Sequence, residues 1–153
     1  MADKVPTYTV TIDATPDRIW PLVADLGRQG EWSPKPYTVE WLSGEANAVG
    51  STFRSTGWLP TDKAHEMEGT VKVNEPMRSF EVVSHDAKEE WTNRYQLSPS
   101  GSQTLVTKEM IGPPLTGVKK AIRSAIFAVF VNGAVQKGLD NLKATVESGS
   151  AAA

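Results

Sequence analysis

The sequence predicts an α+β domain: a seven-stranded, curved antiparallel sheet around one long C-terminal helix, with two short helices after strand 1. Three observations carry this. Short segments of alternating apolar and polar residues run from Val5 to about Ile111, separated by brief Gly-, Pro- and Ser-containing breaks. A helix signal interrupts them once, directly after the first segment. After Gly112-Pro113-Pro114 the pattern changes to helical spacing and keeps it to about Glu147. A curved sheet with a helix laid across it leaves a hollow between them, so the architecture is that of a container.

The elements follow in order. Tyr8, Val10 and Ile12 alternate with Thr9, Thr11 and Asp13, the period of a half-buried strand. Thr15-Pro16-Asp17 is a helix start, with Thr15 as cap, Pro16 at the first helical position and Asp17 in the first turn. Ile19, Trp20, Val23 and Leu26 form its apolar face. Gly27 and Gly30 break it, and a second helical turn ends at Glu31-Trp32-Ser33-Pro34. Strands are predicted over 37–42, 50–57, 63–74, 78–84, 89–97 and 103–111, and their short turns favour a meander. Within 115–147, Val118, Ile122, Ala125 and Val129 form one stripe and Val135, Leu139, Leu142 and Val146 another. The second is rotated from the first by roughly a fifth to a quarter of a turn. Asn132-Gly133 lies at the junction, which predicts a bend or loosened turn there.

At 153 residues the chain is one domain, 1–147, followed by a flexible Ser-Gly-Ser-Ala-Ala-Ala tail over 148–153. The net charge of −2 gives no footprint for nucleic acid. Cysteine is absent, which fits a reducing cytoplasm and excludes thiolate chemistry and cysteine zinc sites. Two histidines, His65 and His85, are few for any other metal site, and no cofactor is expected. No apolar stretch follows Met-Ala-Asp-Lys, which predicts no signal peptide. The longest apolar run, 125–131, is far too short to span a bilayer.

Several local sequences resemble a known family. "VTIDATPDRIWPLVADLGRQGEWSP" is similar to the opening of the polyketide cyclase/dehydrase family of the START-like (SRPBCC, helix-grip) superfamily. There a first strand leads into Ala-x-Pro-x-x-x-Trp, then Asp, then Trp-x-Pro; the positions here are Ala14, Pro16, Trp20, Asp25, Trp32 and Pro34. "VGSTFR", "VNEPMRSFEV" and "EWTNRYQLSPSGSQTLVTKEM" resemble its second hairpin, Glu-Pro turn and last hairpin. The similarity spans about 8–146 and implies the helix-grip fold. Members are described as cyclases, dehydratases, ligand carriers and transfer proteins, with no shared catalytic set.

Strand parity nominates the side chains facing the hollow. Trp91, Asn93, Tyr95 and Leu97 share one face of the sixth strand. His65, Met67, Gly69, Val71 and Val73 share a face of the fourth, and Phe53, Ser55 and Gly57 a face of the third. With Ile122, Ala125 and Val129 closing it, this pocket suits an apolar or aromatic small molecule. Asn93 between two aromatics either orients a ligand or bonds a neighbouring strand or water. His65 is a general base, a ligand contact or an edge histidine, with no carboxylate placed by sequence to orient it. His85 reads as a solvated turn residue. Of Lys108 and Glu109, one faces inward; Glu109 shares its parity with Leu105, Thr107 and Ile111 and is the one nominated, with both alternatives open. Trp58 and Leu59 form an apolar turn, either a lid over cargo or core. Trp58-Leu59-Pro60, His85-Asp86 and 112–115 should cluster at the pocket mouth. The run 125–131 is apolar all round. Exposed around Phe127, with Lys119, Lys120 and Arg123 nearby, it would serve a homodimer or peripheral membrane contact.

Three functions follow. One is binding or transport of a hydrophobic small molecule, lipid or aromatic polyketide-like. Another is a cyclase or dehydratase that uses cavity shape and a proton transfer by His65, Asn93 or Glu109. The third is an interaction module using the Phe127 surface. The absence of Ser-His-Asp, Cys-His and metal spacings tilts the reading from enzyme to carrier.

Overall fold

A computed structural model describes residues 5–34, 37–57 and 64–149. Strand β1 (Thr7–Ile12) leads into α1 (Pro16–Val23) and α2 (Leu26–Gln29). Six strands form a meander: β2 (Thr38–Ser43), β3 (Thr52–Thr56), β4 (Glu66–Glu75), β5 (Ser79–His85), β6 (Glu90–Ser100) and β7 (Gln103–Ile111). Helix α3 (Gly117–Ile126), a π-helical turn (Phe127–Val131) and α4 (Asn132–Glu147) follow. All seven strands lie in one antiparallel sheet, ordered β1-β7-β6-β5-β4-β3-β2. The first strand thus pairs with the last, and β1 and β2 are the edges. The α+β helix-grip architecture is the one expected.

The local chemistry is legible. On β1, Tyr8 and Ile12 are buried while Thr7, Thr9 and Thr11 are exposed. Thr15 has the extended backbone of a cap, but its hydroxyl donates to Asp17 instead of capping. Asp25 caps α2, accepting from the Gly27 N–H at 2.9 Å. Trp32 is buried and its Nε1 donates to the Leu22 carbonyl at 3.2 Å. The Asn141 amide donates to the Trp32 carbonyl at 3.1 Å, and a Cβ at Gly138 would lie 3.3 Å from Pro34 Cδ. The Trp-x-Pro segment therefore fastens the loop after α2 to α4.

Two apolar clusters form the interior. Ile12, Ile19, Leu22, Leu139, Leu142 and Val146 anchor the first, between α4, α1 and the β1-β7-β6 side of the sheet. Ala24, Leu26, Phe53, Val71, Phe80 and Val82 form the second, under the end of α1 and α2. Trp20 packs against both. Gly69 lets the Phe53 ring lie on β4: a Cβ there would stand 2.4 Å from Phe53 Cζ. A bulge between Val71 and Val73 moves Val73 off the inward face to which simple alternation assigns it; Val73 pairs with Glu81, and Asn74 takes the place opposite Phe80.

The C-terminal helix departs most from expectation. The loosened turn is present, as the π-helical turn just before Asn132. Its consequence is larger than a bend. A π turn holds about one residue more than an α turn, which rotates what precedes it by roughly a further quarter of a turn. Added to the offset already present between the two stripes, this places the apolar stripe of α3 nearly opposite the buried stripe of α4. Val118 is 75% exposed, Ile122 54% and Val129 71%; Ala125, Ile126 and Phe130 are exposed as well. Phe127 turns inward instead.

Candidate functional site

The inner face of the sheet is organised in cross-strand rows. Tyr8, Lys108, Tyr95 and Phe80 form one row across β1, β7, β6 and β5. Met110, Asn93 and Val82 form the next, and Trp91 stands two residues further along β6. Two hollows lie over these rows. A groove of about 680 Å³ runs beneath α3 and the π turn, walled by Tyr8, Trp91, Met110, Arg123 and Phe127 among others. A pit of about 10 Å³ lies deeper, lined by Gln29, Tyr37, Phe53, Asn93, Tyr95 and Lys108 among others.

Aromatic and cationic groups build the groove. The Trp91 and Phe127 rings stack, with centroids 5.6 Å apart and planes at 20°. Gly112 makes room for that indole: a Cβ there would lie 2.6 Å from two of its ring carbons. The Arg123 guanidinium stands 5.4 Å from the Trp91 ring and donates to the Pro113 carbonyl at 2.7 Å. Tyr8 donates to Asn132 Oδ1 at 2.6 Å, tying β1 to the start of α4. Burial raises the Tyr8 phenol above its ordinary pKa, so it stays a neutral donor.

In the pit, the Tyr37 hydroxyl donates to Gln29 Oε1 at 2.8 Å, and Gln29 Nε2 donates to the Val23 carbonyl at 2.8 Å. Burial first, and Tyr95 second, push the Tyr37 phenol well above its ordinary range. Asn93 Oδ1 is buried and accepts no hydrogen bond among the described residues. Lys108 Nζ lies 5.1 Å from the Tyr95 ring centroid, with no carboxylate paired to it among the described residues.

The nominated residues separate into groups. Phe53, Asn93 and Tyr95 line the pit, and Trp91 lines the groove. Met67 is half-buried opposite Ser55 and lines neither hollow. Trp58 and its neighbours lie outside the described residues. Ile122, Ala125 and Val129 do not close the cavity; the added rotation of the π turn carries them to the outer surface. Phe127, assigned to an exposed patch, is instead a wall of the groove, and the exposed apolar surface is the opposite side of α3. Glu109 is on the outer face, 3.6 Å from Arg94, which also holds Glu81 at 2.8 Å. Lys108 is the inward member of the pair. Val106 and Thr104, both fully buried, fix the parity of β7, whereas Leu105 is an exposed apolar residue on the outer face.

His65 has a carboxylate partner that its local sequence does not announce. Its Nε2 lies 3.0 Å from Asp86 Oδ2. Asp86 is fixed in the β5–β6 turn by the N–H groups of Lys88 and Glu89, at 2.7 and 2.8 Å. Those two bonds, more than His65, lower the Asp86 pKa. The pair stands at the same end of the sheet as Trp91 and Gly112 but lines neither hollow. Tyr8, Met110, Arg123 and Phe127 join the site without having been nominated as pocket residues, and Lys108 joins it as the alternative left open to Glu109. Alternation on β1 signalled Tyr8; the register that selects Lys108 and the π turn that turns Arg123 and Phe127 inward have no local signal.

Across residues 6–147 the sequence matches the family described as polyketide cyclase/dehydrase and lipid transport. The chain belongs to that family. No curated protein matches it significantly in sequence. Solved structures of the same fold include the protein TTHA0849 from Thermus thermophilus, at 14% identity and a TM-score of 0.70, covering 96% of this chain and 99% of that one. Norcoclaurine synthase from Thalictrum flavum, in complex with dopamine and hydroxybenzaldehyde, aligns at 15% identity and a TM-score of 0.68, over 95% of this chain and 87% of that one. At these identities the likeness is one of fold. Among the described residues no helix is long and apolar enough to cross a membrane.

Proposed function

We propose that this member of the family binds a hydrophobic small molecule, aromatic or lipid-like, in the groove beneath α3, and acts as its carrier. The observation that carries this reading is the groove itself: about 680 Å³ beside a stacked Trp91–Phe127 pair, within the size range of small-molecule sites. The family description, with its cyclases, dehydratases and lipid transport, supports a hydrophobic cargo. The bound aromatic ligands of norcoclaurine synthase belong to that protein and support the reading by likeness of fold. The carrier is preferred to a cyclase because the groove lacks an acid–base pair among the described residues: Glu109 faces outward and the His65–Asp86 pair stands apart. The test is titration with the neutral fluorophore N-phenyl-1-naphthylamine. Wild-type protein should enhance its emission saturably, and Trp91→Ala and Phe127→Ala should each weaken binding about tenfold, the effect of roughly 1–2 kcal/mol of lost apolar contact. Absence of binding, or variants that bind as wild type, would overturn the proposal.

A second reading rests on the outward stripe of α3, which we propose docks on an anionic lipid surface. Next to Val118, α3 exposes Lys119, and between Glu109 and Asp140 the chain has no acidic residue. Two copies of such a helix would bring like charges together, whereas anionic headgroups would meet them favourably. Co-sedimentation with phosphatidylglycerol-containing vesicles, lost on Ile122→Asp with Val129→Asp, is expected. Equal binding to pure phosphatidylcholine, no binding at all, or a wild-type dimer that the double variant abolishes would refute it.

A further inference from the structure

The charge of the two hollows is opposite to that of the molecule around them. The chain has 18 acidic against 16 basic side chains. Yet among the described residues no Asp or Glu lines the groove or the pit, while Arg123 lines the first and Lys108 the second. The surface cations of the sheet are treated otherwise: Arg54 has Glu40, Glu66 and Glu68 around it, and Arg94 has Glu81 and Glu109. Lys108 is half-buried and faces the pit with no carboxylate paired to it among the described residues, so an anion reaching it would meet a partly desolvated, unpaired ammonium.

Lys108 stands where such an anion would arrive. In its cross-strand row it lies between Tyr8, which lines the groove, and Tyr95, which lines the pit. Directly opposed residues on one face of a sheet have Cβ atoms about 4.5–5.5 Å apart, so a long flexible lysine can reach either side. Its present position over the Tyr95 ring, 5.1 Å from the centroid, gives the ammonium a π face. Arg123 at the Trp91 wall offers a second positive group nearer the groove's outer edge. An aromatic wall, a cationic rim and a deeper lysine together match an amphipathic anion.

The geometry points to a carboxylate-bearing ligand: an apolar or aromatic acid whose body lies against Trp91 and Phe127 and whose carboxylate is held by Lys108. This rests on the binding function proposed above and narrows it to one ligand charge.

The test keeps the two apart. The neutral fluorophore is displaced by 2-naphthoate, 2-naphthamide and 2-naphthylmethylamine, which share a body and differ in charge. The acid should compete at least about tenfold better than the amide, the size of one charge-assisted hydrogen bond, and the amine should compete worst. Added salt should weaken the acid and leave the amide unchanged. In Lys108→Met the ratio of acid to amide affinity, measured in the same variant, should fall to about twofold or less, and in Lys108→Arg it should persist. Should Lys108→Met fail to fold, Lys108→Gln serves the same comparison. Acid and amide competing equally in wild type, or an acid preference that survives removal of the lysine charge, would overturn the inference while leaving the binding function intact. Loss of fluorophore binding in wild type would instead remove the binding function itself. Dodecanoate in the same assay distinguishes a chain acid from a ring acid, and competition by either supports the carboxylate.

Discussion

Replacing Asn93 by leucine should make the protein more stable, against the usual direction of substitutions in an interior. Leucine has the same γ-branched skeleton of heavy atoms and no polar group. Asn93 Oδ1 is buried without a hydrogen-bond donor among the described residues, a situation that costs about 1–3 kcal/mol. The two methyl groups are bulkier than the amide, and the adjoining pit offers only about 10 Å³, so part of that gain returns as crowding against Val82 and Lys108. A net gain of about 1 kcal/mol is expected, seen as a rise of about 2–4 °C in Tm for a domain of this size. The same change should impair recognition of polar cargo. Displacement of the fluorophore by 2-naphthol, whose hydroxyl can donate to Oδ1, should weaken about fivefold, one hydrogen bond's worth. Differential scanning calorimetry and the displacement assay measure both on one sample. A fall in Tm of more than about 1 kcal/mol equivalent would show that the amide is structurally satisfied, and the ligand-orienting role would go with it.

Three further outcomes are expected. Gly69→Ala would drive a methyl to within 2.4 Å of the fully buried Phe53 ring and should destabilise by about 1–3 kcal/mol, read as a lower midpoint in urea; Phe53→Leu in the same chain should restore part of it. Gly112→Ala meets a half-buried Trp91 ring that can move, so its midpoint should hardly change while fluorophore binding weakens; unchanged binding would show that the Trp91 position is not needed. Asp86 has a folded pKa below its unfolded value, so its contribution is present above the ordinary carboxylate range and is lost as pH falls through the depressed value. The Tm difference between wild type and Asp86→Ala should therefore be largest near neutrality and shrink below about pH 4; a gap that stays constant to lower pH would contradict the assignment.

The sequence by itself determined the element order, the sheet and most of its inward face. Period-two alternation in Tyr8-Val10-Ile12 and Trp91-Asn93-Tyr95 is a local property, because a strand's side chains alternate whatever its neighbours do. The helix start at Thr15-Pro16 and the breaks at Glu75-Pro76 and Gly112-Pro113-Pro114 are local in the same way. What depended on pairing was not legible. Leu105 and Val106 are both apolar, and only the register against β6 and β1 decides that Val106 is core, which sends Lys108 inward and Glu109 out. The His65–Asp86 pair joins residues brought together by the β4–β5 hairpin. The tertiary structure also decided the facing of α3. The sequence contains both apolar stripes and the offset between them, but the orientation of the first depends on how many residues the intervening turn holds. The extra residue of the π turn rotates Val118, Ile122 and Val129 to the surface and brings Arg123 and Phe127 over Trp91. That choice follows from the packing of α4 on one side and the Trp91–Phe127 stack on the other, neither of which is encoded in the periodicity of the helix alone.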